Sequence, residues 1–194
     1  MRFQQRGQYL CSFVAPESLF IDIMMNVPLI AYAANETDDD LRRTALAHCR
    51  TTRDTIVRPD GSTAHEGIFD TRAGRLLRQS THQGLRADST WARGMAWSMY
   101  GFSKVYRLTM MDKFLEVAER NTAFRLAHLP ADRAPYWDFD AELHEPLKKT
   151  APPAPSRPAG SWICASQTKL PQDAALPMLD QLTEPEYLAI ATPG

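Results

Sequence analysis

The sequence predicts an all-α fold of helical hairpins, with one short β-hairpin set into a connection between helices. Three observations predict it. Apolar residues recur at helical spacing in four long stretches between residues 17 and 127. Strand character is confined to two short runs around Asp70-Thr71-Arg72-Ala73-Gly74. Strands do not alternate with helices, so nothing points to a parallel sheet. Helices joined in pairs read as an array of αα-hairpins.

Residues 1–16 read as extended or irregular chain ending at Pro16. Glu17 to Ala34 is strongly apolar and reads as a first helix, capped by Ser18, kinked or deprived of one hydrogen bond at Pro28, and broken by Asn35 and Thr37. A second helix runs from about Asp38 to Ile56, with acids in its first turn and Arg50 and Arg53 near its end, as the helix dipole favours. Pro59-Asp60-Gly61 is a turn. Ser62 to Phe69 and Arg75 to Gln79 then flank Asp70 to Gly74 as the short hairpin. Residues 81–90 form a polar loop. A third helix runs from about Thr90 to Leu108 and a fourth from Met111 to Ala127, the latter with Phe114, Leu115, Ala118 and Thr122 near helical spacing. Pro130 ends it, and the loop to Lys149 holds Pro135-Tyr136-Trp137-Asp138-Phe139-Asp140. Ala174 to Leu182 is a last helix.

Composition narrows the function. The chain has 194 residues, enough for one ordinary domain, and its 44% hydrophobic content supports a packed core. A net charge of -1 gives no reason to expect nucleic acid or an anionic membrane as partner. No apolar run reaches the ~18 residues of a membrane span. The start, Met1 to Gly7, lacks the apolar core of a signal peptide. Cys11, Cys49 and Cys164 have neither metal-binding nor redox spacing, which fits a reducing compartment.

Three features carry possible chemistry. In Asp88-Ser89-Thr90-Trp91-Ala92-Arg93-Gly94-Met95-Ala96-Trp97 a polar loop enters an apolar helix. An indole face there can take a sugar ring, and a guanidinium fork can take a carboxylate bidentately. With Thr81-His82-Gln83-Gly84 just upstream, this reads as a subsite for a sugar acid. The bland alternative makes Trp91 core and Arg93 a partner of Asp88. Trp97, Tyr100 and Phe102 read as helix packing. Asp22 sits among Phe20, Ile21, Ile23, Met24 and Met25, where ionisation is costly and a raised pKa would suit proton transfer near neutral pH. Its alternative is an Asp bonded to a helix end or a buried backbone group. His65 and His82 lack the i, i+4 partner of a helical metal site and are suited to hydrogen bonding a sugar, or are plain loop histidines.

Together these residues resemble the unsaturated glucuronyl hydrolases, glycoside hydrolase family 88. The matching pieces are Gly7-Gln8-Tyr9-Leu10, Phe20 to Leu29, Asp60 to His65, Thr81 to Gly84, Asp88 to Gly94 and Pro135 to Phe139, in family order and spacing. The resemblance covers about residues 2–149 and again about 171–194. It implies an (α/α)6 barrel, the six-hairpin glycosidase type, of which this chain holds a part. It implies release of a 4,5-unsaturated uronic acid from the non-reducing end of a lyase-made oligosaccharide. An acid protonates C4, water adds at C5, and the hemiketal rearranges and frees the partner sugar. By resemblance Asp22 is the general acid and base, and His65, His82, Gln83, Trp91 and Arg93 hold the ring and its carboxylate. No metal or organic cofactor is implied. The family's usual place after oligosaccharide import, with the cysteine usage, implies a cytoplasmic enzyme. A neighbouring family of unsaturated rhamnogalacturonyl hydrolases shares the fold and chemistry, and a catalytically dead sugar-acid-binding fragment is the reading from another class.

The departures from the family pattern carry expectations too. A His-Asp motif that the family places well before the Asp22 segment is absent, as is a later His-containing segment. The chain reads as the middle portion of a longer enzyme, with impaired activity and helix faces left unburied. Residues 1–149 read as the central part of the glycosidase domain. Residues 150–170, with Pro152, Pro153, Pro155 and Pro158, break the helical pattern and read as a frameshifted, poorly ordered segment. Suitable codons there would encode an apolar, helix-forming, family-like string in the neighbouring frame. Residues 171–194 read as the resumed helical part.

Overall fold

The computed structural model describes residues 2–37, 39–131 and 135–141, without the side chains of 35–37. The 150–170 segment and the resumed helix of 171–194 lie outside these described residues, as does Cys164. Strands β1 (Arg2–Gln4), β2 (Tyr9–Cys11) and β3 (Ser18–Phe20) lead into a 3-10 turn, Ile21–Met25. Helices α1 (Val27–Thr37) and α2 (Asp39–Thr55) follow, then β4 (Glu66–Asp70) and β5 (Arg75–Ser80), then α3 (Ala92–Thr109) and α4 (Asp112–His128). The helices pack as two hairpins, α1 on α2 and α3 on α4, joined by contact between α1 and α3. Strands β1 and β2 form one antiparallel pair; β3, β4 and β5 form an antiparallel sheet in that order.

The expectation of a single β-hairpin is corrected here. The sheet has a third strand, because Ser18, Leu19 and Phe20 pair with Ile68, Gly67 and Glu66. The apolar run from Glu17 to Ala34 is therefore strand, 3-10 turn and helix in succession, not one kinked helix. An apolar run of this kind suits a buried strand as well as a helix, and only the partner strand decides. Pro28 does not kink a helix either. It lies in the first turn of α1, where an N–H has no intrahelical acceptor to lose. Part of the chain read as extended or irregular over residues 1–16 is extended strand: Arg2, Phe3 and Gln4 pair with Cys11, Leu10 and Tyr9.

The core sits between this sheet and the helices, around Leu19, Ile21, Met24, Phe102, Val105 and Phe114. Two glycines seven residues apart on α3 set how closely that helix meets the 3-10 turn. A Cβ on Gly101 would lie 2.4 Å from the Met24 carbonyl oxygen, and one on Gly94 would lie 2.8 Å from Ile21 Cγ2. The turn before β4 is seated on α4 in a similar way. Gly61 has φ +89, a conformation in which side chains are strained, and a Cβ there would fall 2.3 Å from the Arg120 carbonyl. Asn121 Nδ2 donates to the Gly61 carbonyl at 2.7 Å, and its Oδ1 accepts from Ser98 Oγ at 2.7 Å.

On the other side, β2 is tied to α2 by His48. The Leu10 N–H donates to His48 Nδ1 at 3.1 Å, and Thr52 Oγ1 lies 3.3 Å from Nε2. Strand β5 is the outer strand of its sheet; Arg75, Leu77 and Arg78 on it are exposed, and the register with β4 shifts between Ile68 and Phe69.

Gly101→Ala forces a methyl group against a backbone oxygen that no rotamer change can move aside. It is expected to destabilise the fold by about 1–3 kcal/mol, measured as a shift in urea midpoint with an unchanged slope. Burial pushes the His48 imidazole from 6.5 down to about 3. Between those values the unfolded chain binds a proton that the folded chain refuses, so stability is full above about 6.5 and is lost as pH falls, by about 1.4 kcal/mol per unit. In His48→Asn, which keeps an acceptor for Leu10, urea unfolding between pH 4.5 and 6.5 is expected to lose that share of its pH slope.

Candidate active site

The site is assembled where the end of β3, the start of β4, the chain leaving β5 and the start of α3 meet. Asp22 is placed by backbone, not by its own side chain. The Ile21 N–H donates to the His65 carbonyl at 3.0 Å, so the 3-10 turn begins directly beside His65. Ile21, Ile23 and Met24 are buried and hold the turn down. The Asp22 side chain is not enclosed by these apolar neighbours, as the sequence suggested; it remains 33% exposed. Its Oδ2 lies 3.3 Å from His65 Nε2. The angle falls short of a hydrogen bond, and among the described residues neither atom has another hydrogen-bond partner. Such loose geometry is common for acid–base groups in unliganded sites.

The other face of the His65 ring fixes its tautomer. The His82 N–H points at Nδ1 from 2.9 Å and the Gln83 N–H from 3.4 Å, with Thr81 Oγ1 at 3.3 Å. A backbone N–H can only donate, so Nδ1 is the acceptor and the proton of the neutral ring lies on Nε2, facing Asp22. Phe20 stacks on the ring at 4.9 Å, and Trp91 meets it edge-on at 5.0 Å.

Asp22, Arg93, Trp97 and Phe20 line one open cavity of about 700 Å³, together with Arg2, Asn26 and Met25. Trp97, read from sequence as helix packing, therefore forms part of its wall. Trp91 does not offer an open indole face. It is 5% exposed, and the Arg93 guanidinium lies over its ring at 5.4 Å, a cation–π contact. Nor does Arg93 pair with Asp88, which pairs with Arg86. His82 and Gln83 are exposed beside the site. Among the described residues no group of three or more His, Cys, Asp or Glu side chains is placed to hold a metal.

Three contributors were not singled out from the sequence. Asp138 is fully buried and accepts from the Leu85 N–H at 2.8 Å, Ser89 Oγ at 2.7 Å and the Asp140 N–H at 3.0 Å. Backbone bonds from Ala92 to Trp137 and from Phe139 to Thr90 complete the junction, so residues 137–140 brace the loop that carries His82 through Trp91. Arg58 spreads its guanidinium over Gln79, Ser62, Thr90, Ala87 and Ser89 on the far side of the same loop. Burial lowers its pKa, against the pull of Asp60, Asp140, Asp88 and Asp138. Glu66 is buried in β4, takes a hydrogen bond from Ser18 Oγ and lies 3.3 Å from His82 Nε2. The only sequence signal for Asp138 is its place in Pro135 to Phe139. Nothing local marks Glu66 or Arg58.

No family model matches the chain. It is 41% identical over 131 residues to an unsaturated glucuronyl hydrolase of Formosa agariphila, a match covering 66% of this chain and 33% of that protein. Among solved structures, it is similar to an unsaturated glucuronyl hydrolase specific for heparin, with a TM-score of 0.87 and 32% identity over 95% of this chain and 52% of that one. It is also similar to a mutant unsaturated glucuronyl hydrolase of Streptococcus agalactiae complexed with dGlcA-GalNAc6S, with a TM-score of 0.69 and 28% identity over 86% of this chain and 46% of that one. The chain thus spans about a third of the curated relative and about half of the solved chains. On this agreement of sequence and backbone, the chain belongs to the unsaturated glucuronyl hydrolase family.

Proposed function

We propose that this chain carries part of the active site of a family 88 glycoside hydrolase that removes 4,5-unsaturated uronic acid from the non-reducing end of lyase-generated oligosaccharides. The observation that carries this reading is the Asp22–His65 pair at the edge of a cavity that Arg93 also lines. Asp22 gives a proton to C4 of the vinyl ether. Water adds at C5 as its second proton returns to the same carboxylate, which restores the acid. The hemiketal then opens and the partner sugar leaves. His65, with its Nε2 proton turned to Asp22, orients the carboxyl group and polarises it. Arg93, steadied over Trp91, takes the uronate carboxylate, and His82 and Gln83 bind the ring from the loop above. Trp91 serves as the backing of Arg93 and His65 in place of a stacking platform.

Within this reading the two helical hairpins are part of an (α/α)6 barrel. The exposed Leu29 and Tyr32 on α1 support it, being large apolar side chains on a helix whose opposite face is core. A cytoplasmic setting accords with the buried free thiols Cys11 and Cys49.

The test is to incubate the chain with a lyase-made unsaturated glucuronyl disaccharide and follow the ultraviolet absorbance of the C4–C5 double bond. Loss of absorbance with release of the partner sugar is expected. Neither turnover nor binding would overturn the reading, and a preference for a pectin-derived rhamnogalacturonyl disaccharide would move it to the neighbouring chemistry. Asp22→Asn is expected to reduce turnover by roughly 10²–10⁴-fold with the fold intact, because an amide cannot deliver the proton; retained turnover would remove Asp22 as the acid. Arg93→Ala is expected to raise KM by an amount worth about 2 kcal/mol, the scale of a hydrogen bond to a charged group, and an unchanged KM would make Arg93 structural.

A further inference from the structure

Glu66 occupies a position where a carboxylate is costly. It is 1% exposed in the central strand of its sheet, opposite Phe20 on one side and Ser80 on the other. Ser18 Oγ donates to Oε1. Oε2 is buried without a completed hydrogen bond and lies 3.3 Å from His82 Nε2. An apolar residue would serve the sheet without that desolvation cost. The acid is explained by what it faces.

His82 is the opposite kind of group. Its side chain is 54% exposed, yet one side of it is fixed. The backbone N–H is held by His65 Nδ1, and the ring meets Phe20 edge-on at 5.5 Å. An ionised carboxylate only accepts, so the proton of His82 belongs on Nε2, toward Glu66. Nδ1 is then the nitrogen left for a ligand, and no hydrogen bond from the described residues reaches it. His65 and Glu66, adjacent in sequence, thus pin the same loop twice: one by its backbone, the other by its side chain.

We propose that Glu66 is a positioning residue, which holds the His82 imidazole by Nε2 so that Nδ1 is presented as an acceptor to a hydroxyl group of an incoming unsaturated uronide. This rests on the reading of His82 as a substrate-binding group. Glu66 touches no reacting atom; it removes the freedom of an exposed side chain before the ligand arrives, and so lowers the ordering cost of binding.

The experiment has two readouts on the full chain. The first is the nuclear Overhauser contact between the His82 and Phe20 rings. It is expected in the parent chain and in Glu66→Gln, whose amide oxygen still accepts, and is expected to vanish in Glu66→Met. Persistence in Glu66→Met would overturn the positioning role. The second is the affinity for an unsaturated glucuronyl disaccharide and for its analogue deoxygenated at C2 and C3 of the unsaturated ring. Glu66→Met and His82→Ala are each expected to weaken the disaccharide about tenfold, the worth of one good hydrogen bond, and to leave the deoxygenated analogue unchanged. Combined, they are expected to cost about tenfold again and not the roughly hundredfold of independent sites. Additive losses, or equal losses for the deoxygenated analogue, would overturn the proposal. Should Glu66→Met not fold, Glu66→Gln carries the test: retention of disaccharide binding within about threefold supports an acceptor role for residue 66, and a full tenfold loss overturns it. A parent chain that shows the ring contact but binds neither probe would overturn the sugar reading and leave the Glu66–His82 geometry standing.

Discussion

One imidazole joins the stretches of chain on which the site depends. The His65 carbonyl receives the Ile21 N–H, its Nδ1 receives the His82 N–H, and its Nε2 faces Asp22. Residues 21, 65 and 82 are far apart in sequence, and no helix or sheet ladder brings them together alone. With the ring clamped between Phe20 and Trp91, the acid, the loop and the start of α3 share one origin of coordinates. Precise placement of this kind is what proton transfer and carboxylate recognition both need.

Around that centre the protein spends buried charge. Asp138 satisfies three donors from one loop junction, and Arg58 does the reverse for carbonyl and hydroxyl oxygens across the same loop. A loop this polar could not hold a fixed shape by apolar packing, because its backbone groups would lose water without replacement. The carboxylate on one side and the guanidinium on the other replace that water with fixed partners, and they leave His82 and Gln83 exposed to solvent.

Much of this was legible beforehand. The bounds of α2, α3 and α4 and the turn Asp70 to Gly74 follow from periodicity, dipole charges and turn chemistry. Strand β3 was not legible, because Ser18 to Phe20 lies in an apolar run whose state depends on pairing with residues 66–68. Asp22, His65, His82, Trp91 and Arg93 do converge, though the open indole face expected of Trp91 is closed by Arg93 and by its burial. Glu66, Arg58 and Asp138 were invisible in their roles for one physical reason. Charged residues are ordinarily solvated, and what keeps these three inside is partners 16 to 53 residues away.

The outer strand of the small sheet has a consequence for how the molecule behaves in a crowd. Among the described residues one side of β5 has no neighbouring strand, and an open row of backbone donors and acceptors is a template on which another chain can grow. Arg75 and Arg78 stand exposed along it, and the register shift opposite distorts the ladder. Two like charges presented by each of two approaching copies repel at the spacing at which strands would join. The arginines thus act as gatekeepers of solubility: neutralising them, by substitution or by a dense polyanion, leaves the exposed Leu77 and the strand edge beside it unguarded and turns a solitary sheet into a seed for assembly.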